Sequence, residues 1–182
     1  MKTTNILIIF CFLLSLQLHA QKYFTRSGIT QFEASEKTFE PIEALNITTT
    51  VILDANNGNI VSQVFMAGFQ FNNALMQEHF NENYMDSYQY PKATFKGNLD
   101  NFSLISFNAN NSYDLNGLLT IKGLEKNIQT TVDVKVENDQ IFISGSFFVS
   151  AKDFNIKIPS IVRDKIANQI QINIDYELIE KK

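Results

Sequence analysis

A lone histidine set among two glutamates and three tyrosines gives this chain its most chemically suggestive stretch, Leu75 to Gly97, LMQEHFNENYMDSYQYPKATFKG. Glu78 and Glu82 stand four residues apart, on one face of a helix. Paired carboxylates can move protons, but nothing else in the sequence converges on these two, and the same spacing suits a solvated helix face. His79 could bond the oxygen of a quinone or phosphate head group. It equally suits a structural hydrogen bond to a strand or loop. One histidine without cysteine partners gives no recognisable metal-ligand spacing. Tyr84, Tyr88 and Tyr90 carry hydroxyls that could reach a head group at a cavity mouth, or rings that pack the segment down.

The elements around this stretch alternate like β-strand. Phe32 and Ala34 share one face of Gly28–Ser35, and residues 46–53 are rich in Ile, Thr and Val, whose β-branched side chains favour strand. Asn57-Gly58 is a hairpin signal. Ile60, Ser62, Val64 and Met66 share the next face, and the period slips at Ala67-Gly68, which predicts a bulge or bend. Asn73 can cap a helix in which Leu75, Met76, His79, Phe80 and Tyr84 lie near helical spacing. Tyr90-Pro91 forces extended backbone, and Ala93, Phe95 and Gly97 open another strand.

Further strand faces follow at Leu115–Ile121, Ile128–Val136, Ile141–Val149 and Ile170–Leu178. The stretch from Asp100 to Asn111 is weakly patterned, 151–155 reads as a loop, and Ile161–Ile166 reads as a short helix. Strands with one apolar and one polar face belong to antiparallel sheet. Seven to nine of them joined by short turns predict a barrel or sandwich in one domain.

Residues 1–20 read as a cleaved export signal: Lys2, an apolar run from Ile6 to Leu16, and a small-residue site at Leu18-His19-Ala20. The run is too short to span a membrane. Cys11, the only cysteine, leaves with it, so residues 21–182 have no disulfide or thiolate chemistry. That mature chain holds 14 basic and 19 acidic residues, a net charge of −5. It has no electrostatic footprint for nucleic acid or anionic lipid. Sixteen phenylalanines against seven glycines suit a lined cavity as well as a packed interior.

In Leu75–Gly97, in GLLTIKGLEKNI (Gly117–Ile128) and in FFVSAKDFNIKIPSIVRDKI (Phe147–Ile166), the chain resembles the YceI-like family, with Phe69-Gln70-Phe71 as a further match. These are exported lipocalin-like barrels described as polyisoprenoid or lipid binders. Asn155 stands where the family usually carries Gly. Asn is the non-Gly residue most tolerant of left-handed backbone, which keeps the turn.

The resemblance implies an all-β, antiparallel eight-stranded barrel with one inserted α-helix, holding an extended apolar chain in its lumen. Eight strands enclose room for side chains or one small ligand. Each isoprene unit brings about five carbons, a gross gain of about 4 kcal/mol on burial, reduced by association and ordering costs. Phe32, Val64, Phe95, Leu119, Ile121, Val134, Ile143, Phe147, Ile172 and Ile174 are expected to face that lumen. His79, Tyr84 and Tyr88 are candidate polar contacts at its mouth.

The expected protein is therefore a periplasmic or secreted, non-catalytic lipid carrier. It needs no cofactor or metal, engages no nucleic acid, has no integral membrane segment after processing, and leaves a homodimer open. The alternative is a small outer-membrane barrel, with its apolar face towards lipid. No nucleophile–base pair, phosphate loop or metal spacing speaks for an enzyme.

Overall fold

A computed structural model describes residues 21–36, 41–104 and 111–181. The expected signal, residues 1–20, lies outside them. The strands are β1 (Lys22–Ser35), β2 (Glu43–Asp54), β3 (Asn59–Phe65), β4 (Gln70–Phe71), β5 (Lys92–Leu99), β6 (Asn111–Ile121), β7 (Leu124–Glu137), β8 (Gln140–Val149) and β9 (Ile166–Glu180). The two-residue β4 only adds to the edge of β2. The other eight run antiparallel in the order β1-β9-β8-β7-β6-β5-β3-β2, and β1 pairs with both β2 and β9. The barrel is closed and has no free long edge.

The turns explain the register. Ile121 pairs with Leu124, and Lys122 and Gly123 between them take φ 49° and 74°. Glu137 pairs with Gln140, with Asn138 and Asp139 at 52° and 61°. Both are two-residue loops with two positive φ values, the turn whose twist matches antiparallel strands. At Asn57-Gly58 the hairpin signal holds: Gly58 sits at φ 75°, and Asp54 accepts bonds from the Asn56 amide and the Asn57 side chain.

Two slips coil the barrel. In β1, Arg26 and Ser27 both face out, so Tyr23 and Thr25 point inward before them and Gly28, Thr30, Phe32 and Ala34 after. In β2, Ile47 and Thr48 both face out between inward Asn46 and Thr49. Asn46 is fully buried; it donates to the Phe65 carbonyl and accepts from the Thr48 amide and hydroxyl. The first strand thus begins six residues earlier than its clean alternation from Gly28 suggests, because the slip hides the phase of Lys22–Thr25.

The core forms two connected clusters. At the end where β1 begins, Leu53, Leu99, Ile141 and Leu178 are fully buried under Phe102, whose ring meets Tyr113 edge-on at 5.3 Å. At the other end Phe32, Met66, Phe69 and Met85 pack beneath the inserted helix.

That helix, α1 (Ala74–His79), is six residues long and capped by Asn73, whose side chain accepts from the Leu75 and Met76 amides. It continues as a π-turn over Phe80–Tyr84. The expected bend at Ala67-Gly68 is a 3₁₀ turn (Met66–Gly68), the expected helix near Ile161 is a 3₁₀ turn (Ser160–Lys165), and the expected loop at 151–155 contains another (Ala151–Phe154). Asn155 ends that last turn at φ 53°.

Outward positions are polar along β7 and β9, with Gln129, Thr131, Asp133, Lys135, Asp175 and Glu177 exposed. An apolar row breaks this pattern: Ile179, Phe24, Ile52 and Val61 are successive cross-strand partners on β9, β1, β2 and β3. Among the described residues no helix is long and apolar enough to cross a membrane.

Candidate functional site

Inward side chains leave a cavity of about 150 Å³ in the lumen, between the helix end and the filled base. Of the ten expected lining residues, eight border it: Phe32, Val64, Phe95, Leu119, Ile121, Phe147, Ile172 and Ile174. Val134 and Ile143 do not. They face inward and are fully buried, but they pair with each other at the level where the lumen is already solid with Ile141 and Leu178. Alternation reveals which face is inside; it does not reveal the depth at which the interior fills.

The wide part of the lumen depends on glycine. Gly97 and Gly117 are direct partners on β5 and β6. A Cβ on Gly117 would lie 2.5 Å from Phe95 Cζ, and one on Gly97 would lie 2.6 Å from the same ring. Phe95 therefore lies against the sheet instead of standing across the cavity.

The inserted segment closes the upper end with aromatic contacts. Phe80 stacks on Phe32 at 5.3 Å and meets Phe71 at 5.1 Å and Phe69 at 5.8 Å. Such pairs each add about 0.5–1.5 kcal/mol beyond burial. Lys122 Nζ donates to the Tyr84 carbonyl at 2.9 Å, and the Phe71 amide donates to Gln77 Oε1. These bonds tie the segment to the β6–β7 turn and to β4.

Phe80 and Met85 both line the cavity, and the Met85 amide bonds the Phe80 carbonyl five residues back. A π-turn widens the helix, so the residue that joins Phe80 on the inner side is Met85 and not Tyr84. The expected mouth contacts stand apart from the cavity lining. His79 is exposed on the outer side, Tyr88 is wholly exposed in the turn after the helix, and Tyr84 is half-buried against the upper core; none of the three borders the cavity. Burial still pushes the Tyr84 phenol above its ordinary value.

A cluster of hydroxyls sits instead at the floor. Thr30, Thr49, Ser62 and Tyr176, from β1, β2, β3 and β9, all border the cavity. Thr30 Oγ1 lies 2.8 Å from Thr49 Oγ1 and 3.3 Å from the Tyr176 hydroxyl. Burial pushes the Tyr176 phenol up, while the hydroxyls of Thr30 and Ser62 pull it back. Thr30, Ser62 and Tyr176 share strand faces with residues expected inside; what the sequence hides is that two strand slips bring Thr30 together with Thr49. Among the described residues, no Lys, Arg, His, Asp or Glu borders the cavity. Among the described residues, no group of three or more His, Cys, Asp or Glu could hold a metal ion.

Comparison with known proteins matches this geometry. The family model of the YceI-like domain matches residues 20–178. A polyisoprenoid binding domain from Saccharophagus degradans implicated in plant cell wall breakdown superposes with a TM-score of 0.76 at 12% identity, covering 89% of this chain and 99% of that one. BcnA of Burkholderia cenocepacia superposes at 0.70 with 18% identity, covering 82% and 95%. The Campylobacter jejuni YCEI protein superposes at 0.61 with 17% identity, covering 81% and 89%. At these identities the likeness speaks for the fold alone. No curated protein matches the sequence.

Proposed function

The chain belongs to the YceI-like family, and we propose that it is an exported carrier holding an extended apolar ligand, a polyisoprenoid, isoprenoid quinone or other lipid, in the barrel lumen. One observation carries this reading: a mostly apolar cavity with no charged side chain among the described residues that line it, closed above by a phenylalanine-faced helical segment. Apolar burial needs no polar handle to bind, since each buried methylene-sized group contributes about 0.8 kcal/mol. The likeness to the S. degradans polyisoprenoid binding domain supports the same ligand class. The signal-like residues 1–20 support export, to the periplasm or beyond the cell.

The cavity volume of about 150 Å³ is that of a dry apolar void that admits a benzene-sized guest. A chain of several isoprene units therefore requires side chains to move. Phe80, Met85 and Met66 are the ones placed to do so, because they face the void from short turns at its upper end. The outer-membrane alternative needs the opposite pattern, apolar outside and polar inside. The charged outer positions of β7 and β9 argue against it.

Native mass spectrometry and organic extraction of the purified protein test the proposal. An apolar chain released in stoichiometric amount is the expected result. Protein that stays ligand-free after exposure to excess prenyl lipid overturns it.

A further inference from the structure

The floor of the cavity brings three buried hydroxyls together, in a lumen whose lining is otherwise apolar apart from Ser62, Thr94 and Ser150. On β9 the lining residues descend through Ile170, Ile172 and Ile174 to Tyr176, and the next inward residue, Leu178, is already in the solid base. On β1 they descend from Phe32 to Thr30. Thr49 is the single lining position of β2. Three of the strands thus end their contribution to the cavity on a hydroxyl, and all three side chains are buried.

This arrangement is constructed. A Cβ on Gly28 would lie 2.7 Å from Tyr176 Cδ1 and 3.0 Å from the Thr49 carbonyl oxygen, so the Tyr176 ring lies over β1 only because residue 28 is glycine. Gly28 sits between the two register shifts of the β1–β2 pairing. Those shifts set Thr30 opposite Asn46 in register while bringing its hydroxyl to that of Thr49.

The proton count then points into the void. Thr30, Thr49 and Tyr176 carry three O–H donors and share two contacts: Thr30 with Thr49 and Thr30 with Tyr176. Each contact uses one proton, so one donor is left over. A buried donor without an acceptor is costly. A ligand oxygen at the floor would accept it.

We propose that the hydroxyls of Thr30, Thr49 and Tyr176 form a subsite for a neutral oxygen, so that the ligand enters with an alcohol or carbonyl oxygen leading and leaves its hydrocarbon tail beneath the Phe80 lid. This rests on the lipid-carrier reading and narrows it. Burying a charge without a partner costs far more than burying a neutral group. With no cation at the floor, a phosphate-bearing lipid is rejected there, and an isoprenoid carrying a hydroxyl or carbonyl is preferred over the bare hydrocarbon.

The test compares four saturated C20 probes on protein stripped of lipid: phytane, phytanol, phytanal and phytanyl phosphate. Each displaces a fluorescent fatty reporter from wild type, from Tyr176→Phe and from Thr30→Val. In wild type, the alcohol and aldehyde bind about five- to tenfold more tightly than phytane, the range of one net hydrogen bond. The phosphate binds most weakly. In each variant the alcohol and aldehyde fall to the affinity of phytane for that same variant. Thermal melts confirm that each variant is folded, and the two substitutions act on different strands, so one unfolded variant leaves the other to decide. Equal binding of alcohol and phytane in wild type overturns the subsite, as does a preference that survives both variants or tightest binding of the phosphate. If phytane binds and the preference is absent, the carrier reading stands without the subsite. If no probe binds, both fall.

Discussion

The ring of Phe95 fills the space that a side chain on Gly117 would need: a Cβ there would lie 2.5 Å from Phe95 Cζ. The pairing of Gly117 with Gly97 across β5 and β6 turns two absent side chains into a flat bed for one ring, and the lumen keeps its width because that ring lies down. Gly117→Val removes the bed. The ring must then stand into the cavity or the strands must part, at a cost of about 1–3 kcal/mol, the usual range for overpacking. The expected outcome is a lower urea midpoint together with reduced lipid recovered by extraction. Loss of stability with full lipid loading would show that Phe95 relaxes sideways.

Phe80 touches Phe32, Phe69 and Phe71 while lining the cavity. It is half-buried, so Phe80→Ala should cost less than the roughly 3–5 kcal/mol of a fully buried phenylalanine. Its larger effect should be kinetic. Without the ring the upper end of the lumen is open, and a bound prenyl chain should exchange faster. Stopped-flow displacement of a fluorescent lipid measures this. An unchanged release rate would mean that the ligand leaves by another path.

Asn155 holds φ 53° at the end of the Ala151–Phe154 turn, and its amide and that of Ile156 bond back to the Lys152 and Ala151 carbonyls. Left-handed backbone costs most L-residues about 1–2 kcal/mol, with Asn and Gly the usual exceptions. Asn155→Gly should leave stability within about half a kcal/mol, whereas Asn155→Val should lose more than about 1 kcal/mol. Equilibrium unfolding distinguishes the two. Equal losses would place the importance of Asn155 in its side chain and not in its backbone.

Strand alternation made most of the barrel legible, since period-two patterning and turn residues are local properties. Asn155 as a stand-in for glycine was legible only through the resemblance, which marks where the family usually carries Gly. The parts that escaped depend on departures from periodicity. Arg26-Ser27 and Ile47-Thr48 each put two neighbours outside, and only those slips bring Thr30 to Thr49. The widened turn after His79 replaces Tyr84 by Met85 on the inner side, which a uniform helical wheel cannot show. Val134 and Ile143 were placed on the correct face and at the wrong depth, because the level at which Phe102 and its neighbours fill the lumen is set by packing between distant segments.

Tyr176 links the site to alkaline stability. Its phenol is pushed above the unfolded value of 10.0, chiefly by burial, so the folded protein holds that proton more tightly than the unfolded chain does. The resulting stabilisation is fully present below about pH 10 and is lost as pH climbs through the folded-state value. Tyr23, raised by burial and then by Glu180 and Asp139, and Tyr84, raised by burial, act in the same direction. Tyr176→Phe removes only the first contribution. Near neutral pH the variant should be less stable by about 1 kcal/mol, the typical worth of a net hydrogen bond. Above about pH 10 wild type should lose stability more steeply than the variant, by up to about 1.4 kcal/mol per pH unit from this single group. The two curves should therefore converge as pH rises. Urea unfolding followed by far-ultraviolet circular dichroism across this range measures both slopes, and parallel curves would show that Tyr176 ionises in the fold as readily as in the open chain.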